Sequence, residues 1–378
     1  MAIIQTEEQR ILLNLVREVA ENEIKPFVAE ADRNGACPEE LFKWGFDLGL
    51  HLVEIPKEYG GTGLNYQTTA MIFEELARVD AGYAITFVTT FVALRNVILA
   101  GTKEQALRFS EVINQRKFAA FALTEANAGS DIASMHTTAT KHEGGYMING
   151  SKTFITNGSL ASLYIVFAKT EPEAGSRGIT AFIVEADRPG ITPGAKEDKM
   201  GLRLSNTTEV ILDNVWVPEE NVLGKVNKGM GIALNALNLS RAFVCTMGVG
   251  IMQRALDEAV AYAKERKQFG QPIIHHQFVQ GLLADMAIKT EASRCLVHNT
   301  MKLIDEGSLI RKEGAICKAF VGDAMQEVVS NAVQVLGGNG YSREYPVEKL
   351  MRDAKVFQIF EGTNQIQRMT IARELEAE

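Results

Sequence analysis

A single carboxylate, Glu361, stands in an unusual setting near the C-terminal end of the chain. It follows the mostly apolar run 356–360 and precedes Gly362, and side chains that form hydrogen bonds come directly after. Apolar surroundings disfavour the ionised carboxylate and raise its pKa, which suits it to remove a weakly acidic proton next to a carbonyl. A turn between helices with a solvated acid has the same pattern, and this segment alone favours that structural interpretation.

The composition argues against several classes of protein. The chain of 378 residues exceeds the usual size of a single core, so we expect two or three packed units. A net charge of −8 without a polybasic block argues against nucleic acid as a partner. No uninterrupted apolar stretch approaches the roughly eighteen residues of a membrane span, so none is expected. The cysteines and histidines show no disulfide or metal-ligand spacing, and the first residues lack the pattern of a leader, so we expect no metal and a cytoplasmic location.

The hydrophobic periodicity predicts an α+β chain with three regions. Helical spacing dominates residues 1–117, where capping boxes start helices at Thr6 and Thr102. Short β-rich runs separated by turn residues fill 118–227 and predict a compact sheet or barrel, and long amphipathic segments in 228–378 predict a helical bundle. The predicted helices include 39–48, 66–79, 84–100, 229–265, 276–305, 309–336 and 364–376. The predicted strands are 118–125, 135–141, 145–149, 152–156, 162–169, 178–186 and 207–216.

Three distant segments combine turn glycines with polar groups. They are FALTEANAGSD at 121–131, ERKQFGQPI at 265–273, and the stretch 334–365 with QVLGGNGY, YPVEKLMRDAK and EGTNQ. Taken singly, the first is typical of a strand ending in a turn and the second of a solvated helix end. In their order and spacing, the three together resemble the acyl-CoA dehydrogenase family over essentially the whole chain.

The resemblance implies an N-terminal helical domain, a middle β-barrel-like domain and a C-terminal four-helix bundle. It also implies FAD-dependent α,β-dehydrogenation of an acyl-CoA thioester to a trans-2-enoyl-CoA, with electrons passed to an electron-transferring flavoprotein. Glu361 matches one of the two positions at which the family places its catalytic base. The other position holds Ser240, so the resemblance assigns the base to Glu361.

The resemblance assigns two groups of residues to FAD. Those around the flavin ring and pyrophosphate are Phe121, Leu123, Thr124, Ser130, Phe154 and Thr156, with Thr156 at flavin N5. Those assigned elsewhere on the cofactor are Arg266, Gln268, Phe269, Gln334, Gly338, Thr363 and Gln365. The set from Arg266 to Gly338 would bind the adenosine-diphosphate half of a neighbouring subunit's FAD. An oligomer is therefore implied, and we expect a homotetramer built as a dimer of dimers.

The resemblance also assigns residues to the acyl-CoA, namely Ser130, Asn238, Arg241, Gly362 and Arg373. Relatives commonly carry aspartate at the position of Asn238. Arg241 lies in a largely apolar helix, so it needs an anionic or carbonyl partner.

Substrate choice is less constrained. Glutaryl-type relatives place an arginine where this chain has Ala84, which disfavours a dicarboxylic substrate, but Arg95 on the same predicted helix could face the pocket or the solvent. Overall similarity is greatest to short- and medium-chain members, and a branched or cyclic acyl group stays open. The alternatives are an enoyl-CoA reductase, an acyl-CoA oxidase, or a non-catalytic acyl-CoA-binding protein on the same scaffold.

Overall fold

Six α-helices build the N-terminal part of the molecule in the computed structural model, which describes residues 5–377. They are α1 (Glu7–Val19), α2 (Lys25–Asn34), α3 (Glu39–Asp47), α4 (Tyr66–Val79), α5 (Ala81–Ala100) and α6 (Lys103–Asn114). Both predicted capping boxes are present, at Thr6 with Gln9 and at Thr102 with Gln105. Pro26 lies in the first turn of α2, where a missing N–H breaks no helical bond. The described residues leave out 1–4, where the predicted N-terminal domain begins, and 378, where the predicted C-terminal domain ends. The first residues, which lack the pattern of a leader, also begin outside the described part of the chain.

Helix α5 is apolar on every face because it is buried on every face. Asp80 caps its N-terminus by accepting a hydrogen bond from the Tyr83 N–H at 2.6 Å. By length and composition alone, α5 could span a membrane, and so could the segment Gly229–Glu265. Most of each segment is buried within the fold, which is the ordinary reason for a core helix to be so apolar.

The middle of the chain forms one sheet of eight strands. They are β1 (Phe118–Ala122), β2 (Thr138–His142), β3 (Gly145–Thr156), β4 (Ala161–Lys169), β5 (Ile179–Glu185), β6 (Ile191–Lys196), β7 (Thr207–Pro218) and β8 (Val222–Leu223). Their order is β6-β7-β3-β2-β4-β5-β8, and β1 pairs in parallel with β4. Tyr146 of β3 and Phe182 of β5 meet across a shared core with ring centroids 5.3 Å apart, although these strands are not neighbours in the sheet. The sheet therefore folds over on itself, as a barrel-like domain must.

Strand β4 joins this barrel core to the helices. Leu163, Ile165 and Phe167 pack in the large core shared with the helical regions, whereas Tyr164 and Val166 face the interior of the sheet. Successive side chains of a strand point to opposite faces, so a strand covered on both sides reads as continuously apolar.

Long helices return in the last part of the chain. They are α7 (Gly229–Phe243), α8 (Cys245–Glu265), α9 (Gln277–Asp305), α10 (Arg311–Leu336), α11 (Val347–Ala354) and α12 (Asn364–Ala377), with a small hairpin of β9 (Lys267–Gln268) and β10 (Gln271–Pro272) after α8. Helix α10 packs against α8, α9 and α12. Helix α8 also packs on α4, and a Cβ at Gly250 would lie 2.4 Å from the Glu74 carbonyl oxygen, so this contact needs glycine.

These elements confirm the predicted fold class and correct several details. The single helix predicted at 229–265 is two helices separated at Val244, and the strands predicted at 145–149 and 152–156 are one continuous strand, β3. The strands β6 and β8 and the helix α11 were not predicted, because β8 and α11 are short and β6 is mostly exposed with a proline and a glycine.

Candidate active site

Glu361 lies in a turn of unusual backbone conformation just before α12. Both Glu361, with φ 55°, and Gly362, with φ 85°, occupy the left-handed region, which non-glycine residues rarely adopt. Thr363 then starts the helix, because its hydroxyl accepts from the Ile366 N–H at 3.2 Å. The N–H groups of Glu361 and Gly362 donate to no acceptor within residues 5–377. The turn therefore presents both a carboxylate and two unused backbone donors.

One carboxyl oxygen of Glu361 is buried without a partner in the described chain. The residue as a whole is only half-buried, but its Oε2 is inaccessible to solvent and has no hydrogen-bond partner within residues 5–377. Burial raises the pKa of Glu361 to about 7, against the opposing charges of Arg241, Arg95 and Lys318. A carboxyl group with a pKa near neutrality is suited to accept a proton at physiological pH.

Arg241 is the first of these three cations. It lies in α7 with only 6% of its surface exposed, and burial lowers its pKa although the charge of Glu361 raises it. Its Nε donates to the Leu237 carbonyl oxygen at 3.2 Å, and its Nη1 donates to Oε1 of Gln367 at 3.1 Å. Arg241 therefore has the carbonyl partner that the sequence required, and it forms no ion pair with Glu361 within the described chain.

Arg95 points into the protein interior rather than to solvent. Its guanidinium binds the carboxylate of Glu54 through Nε at 2.9 Å and Nη2 at 2.5 Å, and Nη1 donates to the Ser240 hydroxyl at 3.1 Å. The rings of Tyr66 and Phe243 lie 5.4 and 4.6 Å from the guanidinium carbon. Arg95 is thus held by a neutralising partner and by aromatic contacts close to the candidate base.

Lys318 and Asn364 fix the start of α12 against α10. Lys318 is buried, and burial lowers its pKa to about 8. Its Nζ donates to Oδ1 of Asn364 at 3.1 Å, and the Asn364 amide donates to Asp323 at 2.8 Å. A Cβ at Gly322 would lie 2.9 Å from the Asn364 Nδ2, so glycine permits this close approach of the two helices.

The residues expected around a flavin ring come together between β1 and β3. The Thr153 N–H donates to the Thr124 carbonyl oxygen at 2.9 Å, which joins the segments 121–124 and 153–156. Phe154 has φ 56° and is 64% exposed at this edge. The donors and acceptors that a flavin and a pyrophosphate require are available here, because the hydroxyls of three residues make no hydrogen bond to residues 5–377: Thr124, Ser130 and Thr156. Leu123 is buried beneath them and Phe121 is half-buried, so this region fits the assigned group.

The residues expected at a neighbouring subunit's cofactor lie on a different surface. Arg266, Gln268 and Phe269 are exposed on the hairpin after α8, and Phe269 is 94% exposed. Gln334 and Gly338 are exposed at the end of α10. The two sets are adjacent, because Asn339 donates to the hydroxyl of Tyr262, one turn before Arg266, at 3.0 Å. Thr363 and Gln365 line a separate cavity of about 330 Å³ beside the Glu361 turn.

The residues expected at the acyl-CoA are only partly brought together. Gly362 and Arg241 are joined through Gln367, which contacts both. Asn238 is half-buried one turn before Arg241, and its side chain makes no hydrogen bond to residues 5–377. Arg373 is exposed, and it lies six residues after Gln367 in α12. At the rise per residue of an α-helix, this spacing is about 9 Å along the helix axis. Ser130 lies in the loop after β1, and no hydrogen bond within residues 5–377 joins it to this group.

Sequence reasoning missed four residues of the site: Glu54, Lys318, Asn364 and Gln367. Asn364 and Gln367 occupy the buried side of α12, three residues apart. Polar residues at this spacing on a helix that must pack against α10 are a detectable signal, since buried amides need partners. Glu54 lies in a loop, and no spacing in the sequence connects it to Arg95.

Comparison with known proteins covers the chain almost from end to end. The profile of the acyl-CoA dehydrogenase N-terminal domain matches residues 6–114, that of the middle domain matches 120–215, and that of the C-terminal domain matches 227–376. A curated relative, an acyl-CoA dehydrogenase of Bacillus subtilis, is 43% identical over 372 residues, which are 98% of each chain.

Solved structures agree with this assignment. Butyryl-CoA dehydrogenase from Megasphaera elsdenii superimposes with a TM-score of 0.96 at 40% identity, covering 100% of both chains. A chain solved in work on the electron-transferring flavoprotein of Acidaminococcus fermentans superimposes with a TM-score of 0.97 at 39% identity, also over 100% of both. Structures with the same fold include complexes with FAD. The chain therefore belongs to the acyl-CoA dehydrogenase family, as an oxidoreductase that acts on acyl-CoA with FAD as its cofactor.

Proposed function

We propose that the protein catalyses the α,β-dehydrogenation of an acyl-CoA thioester to a trans-2-enoyl-CoA, with Glu361 as the base. The observation that carries this proposal is the Oε2 atom of the Glu361 carboxyl group, which is inaccessible to solvent and has no hydrogen-bond partner within residues 5–377. A buried polar atom left unpaired is costly, so it is retained where a ligand or a reacting group completes it. FAD, when bound, supplies the acceptor for the hydride that leaves the β-carbon.

The turn before α12 provides two of the functions that this reaction needs. A Glu361 carboxylate oxygen takes the proton from the α-carbon, so that a C–H bond breaks and an O–H bond forms. The unused N–H of Glu361 is a donor for the thioester carbonyl oxygen, where negative charge develops as the proton leaves. A donor aimed at that oxygen makes the α-proton more acidic.

The three cations near Glu361 moderate its basicity. Each favours the carboxylate, yet all three are held by other partners, and burial outweighs their effect. A direct ion pair would stabilise the carboxylate and weaken it as a base. Partial compensation instead leaves the pKa of Glu361 near the pH at which a base is most effective.

We propose a saturated acyl group of short or medium length as the substrate. Butyryl-CoA is the substrate named for the Megasphaera relative. Arg95, on the same helix as Ala84, is a cation that could bind a distal carboxylate, but the Glu54 carboxylate already occupies it. A dicarboxylic substrate is therefore disfavoured, as the alanine at position 84 also indicates.

The experiment that tests the reaction follows the colour of the cofactor. The purified protein is expected to be yellow and to bleach anaerobically on addition of a saturated acyl-CoA. A panel of straight, branched and cyclic acyl-CoAs with an artificial acceptor then identifies the preferred substrate. Bleaching by NADH with no response to any acyl-CoA would refute the proposal. A colourless protein that cannot be reconstituted with FAD would instead favour a binding protein.

We further propose that electrons leave to an electron-transferring flavoprotein. The support is the close similarity to a chain solved in work on such a flavoprotein. Reduced enzyme should be reoxidised quickly by that acceptor and slowly by air. Fast reoxidation by air would favour an oxidase, and reduction of an enoyl-CoA as the preferred direction would favour a reductase.

We also propose a homotetramer in which Arg266 and its neighbours contact the FAD of a partner subunit. Large apolar side chains with nearly full exposure support an assembly: Phe269, Phe278, Leu309 and Tyr341. Arg266→Ala should weaken FAD retention, because a guanidinium binds a pyrophosphate with charge-assisted bonds. The adjacent Lys267→Ala is the control, and mass in solution is measured for both. A wild-type monomer with full FAD and full activity on dilution would exclude the shared site.

A further inference from the structure

Gln367 connects the catalytic turn to the nearest cation. Its side chain is fully buried in the first turns of α12. Its Nε2 donates to the carbonyl oxygens of Glu361 and Gly362 at 3.1 and 2.9 Å, and its Oε1 accepts from Arg241 at 3.1 Å. The amide nitrogen of Gln367 therefore donates to the turn, and its amide oxygen accepts from the guanidinium of Arg241.

The turn requires such a restraint. Two successive residues in the left-handed region include a glutamate, and a non-glycine residue is strained in that region. A Cβ at Gly362 would lie 2.6 Å from the Gln367 Nε2, so the amide packs directly on this backbone. Bonds to the carbonyl oxygens of Glu361 and Gly362 fix the planes of the two peptides that follow Glu361. The direction of its carboxyl group depends on those planes.

The guanidinium of Arg241 requires a restraint for a different reason. It lies within electrostatic range of Glu361, yet the two residues form no ion pair. Attraction between opposite charges is strong where water is excluded, so an untethered guanidinium would move onto the carboxylate. The bonds to Leu237 and Gln367 prevent that movement.

We propose that Gln367 is a positioning residue, which fixes the Glu361–Gly362 turn and keeps the Arg241 guanidinium away from the Glu361 carboxylate. The inference rests on the proposed function of Glu361 as the base. The restraint on Arg241 explains why the Glu361 carboxylate stays unpaired although three cations lie near it.

The other cations near Glu361 are held by hydrogen bonds to other residues. Arg95 of α5 is bound by Glu54 and lies against Tyr66, and Lys318 of α10 is bound by Asn364. Other groups act on these cations electrostatically at longer range. The charge of Arg311 affects Arg241, and the charges of Asp323 and Cys245 affect Lys318. Within residues 5–377, Arg241 is therefore the cation whose distance from Glu361 is controlled by Gln367.

Two variants separate the two contacts of Gln367 and predict opposite shifts. Gln367→Met removes every bond, releases Arg241 toward Glu361 and lowers the pKa of the base, so the acid limb of kcat/KM moves to lower pH. The variant is also a poorer catalyst, with kcat reduced about tenfold or more, because the base is weaker and its turn is loose. Gln367→Glu keeps a partner for Arg241 but adds a negative charge beside Glu361, so the acid limb moves to higher pH.

The control is Gln326→Met in α10, where the glutamine Nε2 donates to the Ala354 carbonyl oxygen at 2.8 Å away from Glu361. It should leave kcat and the pH profile unchanged. Acid limbs that stay at the wild-type pH, or that move in the same direction in both Gln367 variants, would overturn the proposal. Failure of both variants to fold, while Gln326→Met folds, would assign Gln367 a purely structural role and also overturn it. A wild-type enzyme that oxidises no acyl-CoA would instead refute the proposed function itself.

Discussion

Replacement of Glu361 by glutamine should remove activity and at the same time stabilise the folded protein at neutral and alkaline pH. The amide keeps the size and polarity of the side chain but cannot accept the α-proton. Loss of a general base reduces turnover by about two orders of magnitude or more. FAD and acyl-CoA should still bind, because the amide keeps the shape of the side chain.

The effect on stability follows from the raised pKa of Glu361. Its pKa is about 7 in the folded protein, against a usual value of 4.5. Between these values the native state binds more protons than the unfolded state, so stability falls as the pH rises through this window. A difference of two to three pKa units corresponds to about 3 kcal/mol, which is fully developed above pH 7 and absent below pH 4.5. The glutamine variant does not ionise and avoids this loss.

The assay is a comparison of denaturation curves for wild type and Glu361→Gln at pH 5, 6, 7 and 8, with equal FAD occupancy. The variant should be nearly as stable as wild type at pH 5 and more stable at pH 8. Glu30→Gln, at an exposed position of α2, is the matched control and should change little. A stability difference that does not depend on pH, or a variant that is less stable at pH 8, would refute the electrostatic argument. Near-normal turnover would place the base elsewhere.

Three further predictions concern the groups around the base and the flavin region. The kcat/KM of the wild type should rise with pH through about 7, because only the ionised Glu361 accepts a proton, and a flat profile between pH 5 and 8 would contradict this. Arg95→Met should destabilise the protein by about 3–5 kcal/mol, because it leaves Glu54 buried and unpaired. It should also move the acid limb of kcat/KM to higher pH. Adding Glu54→Gln should restore part of the stability. Lys152 of β3 forms a buried pair with Glu125 and donates to the Leu123 carbonyl oxygen at 3.2 Å in the flavin region, so Lys152→Met should cost about as much stability and weaken FAD retention. Denaturation and cofactor retention measure both effects, and adding Glu125→Gln should restore part of the stability.

The fold was predictable where one periodicity continues over many residues. The capping boxes at Thr6 and Thr102 and the change from helical to alternating patterns gave the three-part architecture. The break at Val244 was not predictable, because Phe243 and Cys245 continue the apolar pattern across it and neither a proline nor a capping side chain marks it. Strand β8 is only two residues long and carries no period of its own.

The sequence identifies only those candidate site residues whose motif carries the chemistry. Glu361 stands out because a carboxylate between apolar residues and glycine is unusual. Arg95 could not be oriented, because a single position on a predicted helix does not reveal which neighbours cover it. Its partner Glu54 is 41 residues away, and the ion pair exists only after folding.

The proposed base, Glu361, lies near cations that do not neutralise it. A buried carboxyl group without any nearby positive charge would stay protonated at neutral pH and would be inactive as a base. The same group in a direct ion pair would be ionised but too weak. Arg241, Arg95 and Lys318 act between these limits, because each is bound to another partner at hydrogen-bond distance: Gln367, Glu54 and Asn364. The pKa of Glu361 thus depends on three polar side chains that make no hydrogen bond to its carboxyl group.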